Sequence, residues 1–210
     1  MRCNERIRIA VAAAIAATTG FTVAMAHGES RVGSPAKPSR SDLATFRRPH
    51  TAADTVPGNL VHGLVLDDGT ADVAESRRVR AGTSHEGWLM PGRRGSICHV
   101  RRGFATCPPA RLIEARGAAA ALGLRDGRFL LDGVASDRVR SVEVSFRDGS
   151  STTLGVVDNV FSVESSSPPV TVAWDGPSGR ETADFGWYID LLDQLQRDAL
   201  RNRERADSSP

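Results

Sequence analysis

The sequence predicts a mainly β domain, a sandwich or small barrel-like fold, with short N-terminal helices and a C-terminal amphipathic helix. Three observations carry this expectation. From Val79 onward, short apolar runs recur between glycine-bearing breaks, the spacing expected of strands in a sandwich or barrel. In "VRSVEVSF", Val142, Val144 and Phe146 alternate with Glu143 and Ser145, the period of a strand with one face buried. The stretch from Ala183 to Arg203 instead sets Phe185, Tyr188, Leu191, Leu192, Leu195 and Ala199 along one helical face, as an amphipathic helix does.

Taken in chain order, residues 1–26 read as a signal peptide. Arg2, Arg6 and Arg8 precede an uncharged apolar stretch that ends in Ala24-Met25-Ala26, the order of basic region, apolar region and small-residue cleavage site. Thr18, Thr19 and Gly20 interrupt that stretch, which argues against a membrane span. Cleavage after Ala26 predicts a secreted or extracytoplasmic chain with no stable membrane insertion. A surface-tethered protein that retains its N-terminal segment is the alternative.

Loss of Arg2, Arg6 and Arg8 lowers the basic residues from 27 to 24, and loss of Glu5 lowers the acidic ones from 25 to 24. The mature chain is then formally neutral, whereas nucleic-acid binders normally carry a basic excess or face. No nucleic-acid partner is expected.

Residues 27–58 form a polar leader with short helices, 59–182 the β domain, and 183–210 the C-terminal helix and tail. Within the leader, "DLATFRR" suits a short helix that stops before Pro49, and Thr51 with Asp54 makes an S/T-x-x-D capping pattern. Leu60, Val61, Leu64 and Leu66 are placed to cover a core, and Asp72 to cap a helix over "VAESRR". Strands are predicted near "RVRAG", "EGWLMPG", "SICHVR" and "FATC", with a helix over "PARLIEARG" ended by Gly117. Further strands follow at "AAALGL", "RFLLDGV", "VRSVEVSF", "STTLGVV", "VFSVES" and "VTVAWDG". Asp132-Gly133, Asp148-Gly149 and Asp158-Asn159 read as punctuation between them, with Phe161 and Trp174 in the core.

After signal removal only Cys98 and Cys107 remain as cysteines. An antiparallel register pairing 98 with 107, 99 with 106, 100 with 105 and 101 with 104 leaves Arg102-Gly103 as a two-residue turn. The pair beside such a turn is hydrogen-bonded, so alternation makes 98:107 a non-hydrogen-bonded pair, where Cα atoms approach closest. A disulfide between Cys98 and Cys107 is predicted, as an oxidising compartment favours. A structural zinc site needs about four ligands, and Cys98, His99 and Cys107 supply only three. A redox pair would favour C-x-x-C.

Candidate chemistry is sparse. "GTSHEG" places Ser84 beside His85, yet Glu86 stands where a nucleophile elbow needs glycine. Asp67, Asp68 and Asp72 lack the ligand spacing of a calcium loop. No catalytic residue and no cofactor is assigned. The expected function is a secreted, non-enzymatic interaction or structural module, with a protein or cell-envelope component as partner.

Two resemblances bear on function. "HGESRVGSPAKPSR", the mature N-terminus, resembles the start of a secreted lytic polysaccharide monooxygenase. That implies copper-dependent polysaccharide oxidation at His27, with a second ligand from His50, His62, His85 or His99; the aromatic content of 5% offers little substrate face. More broadly, "FRRPHTAADTVP", "WLMPGRRGSICHV…C" and "DGVASDRVRSVEVSFRDGS…VVDNVFSVE…VTVAWDG" are similar to an exported protein family of high-GC Gram-positive bacteria. This second resemblance implies export and repeated β-segments, and no activity.

Overall fold

The structure, a computed structural model, describes residues 23–25, 43–61, 71–81, 85–92 and 95–207. Twelve strands among these residues form three four-stranded antiparallel sheets. The central sheet contains β1 (Val23–Met25), β6 (Ala118–Arg125), β7 (Arg128–Ala135) and β10 (Val160–Ser165), in that order. A second sheet runs β12 (Gly179–Asp184), β11 (Pro169–Gly176), β8 (Ser141–Phe146) and β9 (Ser151–Gly155). The third joins β2 (Arg77–Ala81), β3 (His85–Pro91), β4 (Ile97–Arg101) and β5 (Phe104–Thr106) in chain order.

Strand alternation assigns the faces. Ala118, Leu122, Leu131, Ala135 and Phe161 of the central sheet pack against Val142, Val144, Phe146, Val172 and Trp174 of the second. The opposite face of the central sheet contributes Ala119, Val134 and Val160 to a cluster with Val79, Leu89 and Ile97 of the third. Ala121 and Leu130, on that face too, meet Phe104. The mainly β expectation holds, as three layers with the central sheet buried on both sides. Burial on both sides explains why β6 and β7 read as continuous apolar runs, whereas β8 alternates exposed and buried residues.

The third sheet's outer face carries Trp88, Met90, Cys98 and Val100, covered by Val56 and Leu60 from the N-terminal segment. That segment holds α1 (Ala44–Arg47), a 3₁₀ turn over Ala52–Asp54 and α2 (Gly58–Val61). Leu64 and Leu66, also expected to cover a core, lie outside the described residues. The helix expected after Asp72 is a 3₁₀ turn over Val73–Glu75 without a capping bond from the Asp72 side chain, and Arg77 and Arg78 open β2 instead. Helix α3 (Ala110–Arg116) ends at Gly117, whose φ of 88° is a left-handed conformation that favours glycine.

Asp132-Gly133 does not punctuate strands. Both residues sit inside β7 and are buried. A Cβ on Gly133 would lie 1.9 Å from Cζ of Phe161, its cross-strand neighbour, so glycine is needed for close approach of the ring. Asp148-Gly149 and Asp158-Asn159 are turns as expected. Strand β12 went unpredicted, because "GRETAD" offers only Ala183 to the core.

Ala183 and Asp184 end β12, and α4 spans Gly186–Asp207, with Asp184 Oδ1 accepting the Gly186 N–H at 2.7 Å. Phe185, Tyr188 and Ile189 join the main core, and Arg147 pairs with Asp193. Leu191, Leu195 and Leu200 remain about half exposed. Among the described side chains, those that dock come from the first two turns of the helix. The expected strain at Gly133 is testable: Gly133→Ala lowers the unfolding free energy by about 2 kcal/mol or more, an overpacking cost, and Phe161→Leu in the same chain recovers part of it. Urea denaturation reads both; an unchanged midpoint in Gly133→Ala would remove the ring from that position.

Candidate functional site

The cysteine hairpin follows the expected register. His99 pairs with Thr106, Val100 with Ala105 and Arg101 with Phe104, and the Ile97 N–H donates to Pro108 O at 2.9 Å. Cys98 and Cys107 between them are bonded, with Cα atoms 4.0 Å apart. The turn takes positive φ at Gly103 and not at Arg102. Because neighbours on a strand face opposite ways, Cys98 lies in the outer cluster beneath the N-terminal segment while His99 turns inward, 1% exposed. The bond therefore staples a hairpin and is closed to metal.

His27 and His62 lie outside the described residues, as do Ser84, Asp67 and Asp68, and His85 opens β3. His50 is exposed and His99 is buried against Gly87. Among the described residues, no group of three or more His, Cys, Asp or Glu side chains is placed to hold a metal ion.

The polar constellations that do assemble centre on three aspartates. Asp54 is 1% exposed. Its Oδ1 accepts from Arg48 Nη2 at 2.6 Å and from the Arg78 N–H at 2.7 Å. Its Oδ2 accepts from Arg48 Nη1 at 3.0 Å and from both the N–H and the hydroxyl of Thr51 at 2.8 Å. The Thr51–Asp54 pattern thus does more than cap a turn, since the same carboxylate ties the N-terminal segment to β2. Burial pushes the Asp54 carboxyl up, but the Arg48 fork, the Arg78 N–H and Thr51 outweigh it and hold it well below the usual carboxylate range.

Asp137 organises the loop between β7 and β8. Its Oδ1 accepts from the Ala44 N–H at 2.7 Å and from Asn159 Nδ2 at 2.8 Å, and its Oδ2 from Arg47 at 2.6 Å. Asn159 also accepts the Thr45 N–H at 3.0 Å and donates to Ala135 O at 3.0 Å. Asn159 reaches these partners from a turn in which Asp158 and Asn159 take φ of 50° and 64°, as a two-residue hairpin turn of that hand requires. Burial raises the Asp137 carboxyl; bonds from Asn159, Ala44 and Arg47 lower it further than that and keep it ionised. A cavity of about 300 Å³ lies beside this cluster, lined by Thr45, Arg48, Ser136, Asp137, Arg140 and Asp158 among others.

Asp132 lies deeper, 0% exposed between the central and third sheets. Its Oδ2 accepts from Arg101 Nε at 2.6 Å, and the guanidinium sits 5.7 Å from the centre of the Phe104 ring. Asp132-Gly133 has the local signature of a turn; the acid inside the apolar run "FLLDGVA" is the sequence signal of a buried pair, and nothing local marks Arg101 as its partner.

The Asp54 and Asp137 carboxylates, depressed by several donors, are poor proton acceptors. These aspartates join segments; they are not arranged as an acid–base pair. The cavity presents mixed charge at a seam between the N-terminal segment and the body, a geometry that suits anchoring or polar contact. No family model, curated protein or solved structure matches the chain.

Because Asp54 has a folded-state pKa below its unfolded value, it stabilises the fold above the unfolded carboxylate pKa of about 3.9, and that stability is lost as pH falls through and below it. Asp54→Asn is expected to cost about 3 kcal/mol at neutral pH, the scale of breaking a buried pair, and to flatten part of the acid-side slope. Urea unfolding of both chains across the acid range checks this; parallel pH profiles would contradict it.

Proposed function

We propose that the protein is an exported, non-enzymatic interaction or structural module whose partner is a protein or cell-envelope component. The observation that carries the reading is the use of two buried acids, Asp54 and Asp132, and the partly exposed Asp137. Asp54, Asp132 and Asp137 each join segments distant in sequence, and each is engaged by an arginine. Such groups stabilise a rigid frame and leave exposed surface for binding.

The disulfide supports an oxidising extracytoplasmic compartment. Among the described residues, no helix is long and apolar enough to cross a membrane. The order of basic region, apolar stretch and Ala24-Met25-Ala26 in the sequence points the same way. Val23–Met25 pairs antiparallel with Ala121–Gly123 at the edge of the central sheet, so cleavage after Ala26 would uncover that edge of β6.

N-terminal sequencing of the chain recovered outside the cytoplasm is expected to start at His27. Recovery of an intact Met1 chain from the membrane fraction would favour the tethered form. The module reading itself fails if the purified protein turns over a substrate and one side-chain change abolishes turnover without unfolding it.

A further inference from the structure

Ala121, Asp132 and Ser162 stand directly opposite one another across β6, β7 and β10 of the central sheet. Val134 and Val160, two positions along from Asp132 and Ser162, pack with Val79 and Leu89 of the third sheet. Residues two apart on a strand share a face, so Asp132 and Ser162 also point toward the third sheet. Arg101 reaches Asp132 from β4 on the facing side. Arg101, Asp132 and Ser162 are 4%, 0% and 7% exposed.

The Arg101–Asp132 pair makes a single contact, from Nε to Oδ2 at 2.6 Å. A two-pronged pair would also set Nη2, on the same edge of the guanidinium, against Oδ1. Instead Arg101 Nη2, Asp132 Oδ1 and the Ser162 hydroxyl each lack a hydrogen-bond partner among the described residues. Ala121, on the other flank of Asp132, brings no polar side-chain atom to serve. Buried polar groups left in this way are costly, and native proteins meet them with protein groups or ordered water.

We propose that one internal water joins these three atoms and ties the central sheet to the third. The chemistry selects this ligand. Nη2 only donates, an ionised Oδ1 only accepts, and the hydroxyl does either, so the occupant must both accept and donate. Arg101 and Asp132 cancel in charge, so the occupant is neutral: a cation would face Arg101 and an anion Asp132. Opposed residues of an antiparallel pair hold their Cβ atoms about 4.5–5.5 Å apart, yet Ser162 makes no direct bond to Asp132. A polar gap beyond direct reach is what a single bridging water spans, and about three bonds is usual for a buried one. The site lies inside the frame and does not depend on the module reading.

A crystal structure of the full chain, at a resolution that shows ordered solvent, is expected to place one water within hydrogen-bond distance of Arg101 Nη2, Asp132 Oδ1 and Ser162 Oγ. A two-pronged Arg101–Asp132 pair with no water beside it overturns the proposal. So does a Ser162 hydroxyl bonded directly to Asp132. Urea unfolding supplies a second reading. Ser162→Ala removes one partner of the water, whereas Ser162→Val also takes its place and strands the other two atoms. The valine variant is therefore expected to unfold at a lower urea midpoint than the alanine variant. Valine suits a strand better than alanine, so a dry site gives the reverse order, and that order also overturns the proposal.

Discussion

The central sheet is covered on both faces, and a charge placed inside such a sheet must be met there by an opposite charge. The Arg101–Asp132 pair is the clearest consequence. It joins β4 to β7 through the interior at 2.6 Å, with both side chains almost fully buried. Removing charges from water is expensive, and a buried pair is tolerated only where partners are fixed. Phe104 contributes to that fixing on one side of the guanidinium and also packs against Gly123 of β6, where a Cβ would lie 2.5 Å from its ring. Gly133 admits Phe161 on the opposite face. Two glycines thus let aromatic rings approach the sheet from both sides.

The edges of this three-layer body are sewn by polar contacts and one covalent bond. Asp54 fixes the N-terminal segment to β2, and Asp137 with Asn159 fixes α1 to the loops after β7 and β9. Arg116 closes the end of α3 onto the second sheet through Glu181 at 2.7 Å, while Trp174 Nε1 donates to Arg116 O at 2.7 Å. Cys98–Cys107 holds the hairpin whose outer face the N-terminal segment covers. In these seams ionisable groups hold segments of the fold together.

Features encoded within a short span were legible in the sequence. The hairpin register depended on a local turn and two cysteines, and β8 showed its alternation because its outer face meets water. Features set by distant partners were not legible. Asp132-Gly133 has the local signature of a turn; Arg101, thirty-one positions away, and the Phe161 ring decide otherwise. Strand β12 carries little apolar character and forms by pairing with β11 from Thr171 to Gly176. The apolar face of α4 was apparent, but where docking stops depends on the reach of the second sheet. Continuous apolar runs in β6 and β7 marked burial without revealing that two different sheets supply it. For the candidate site, Thr51–Asp54 was visible as a cap, while its bonds to Arg48 and Arg78 were not.

Native-state hydrogen exchange tests the doubly covered central sheet most directly. Amides of β6, β7 and β10 should exchange only through global unfolding, whereas those of β9, β12 and the later turns of α4 should exchange through smaller openings. If β7 amides exchange as readily as those of β9, the central sheet is not the structural base of the fold.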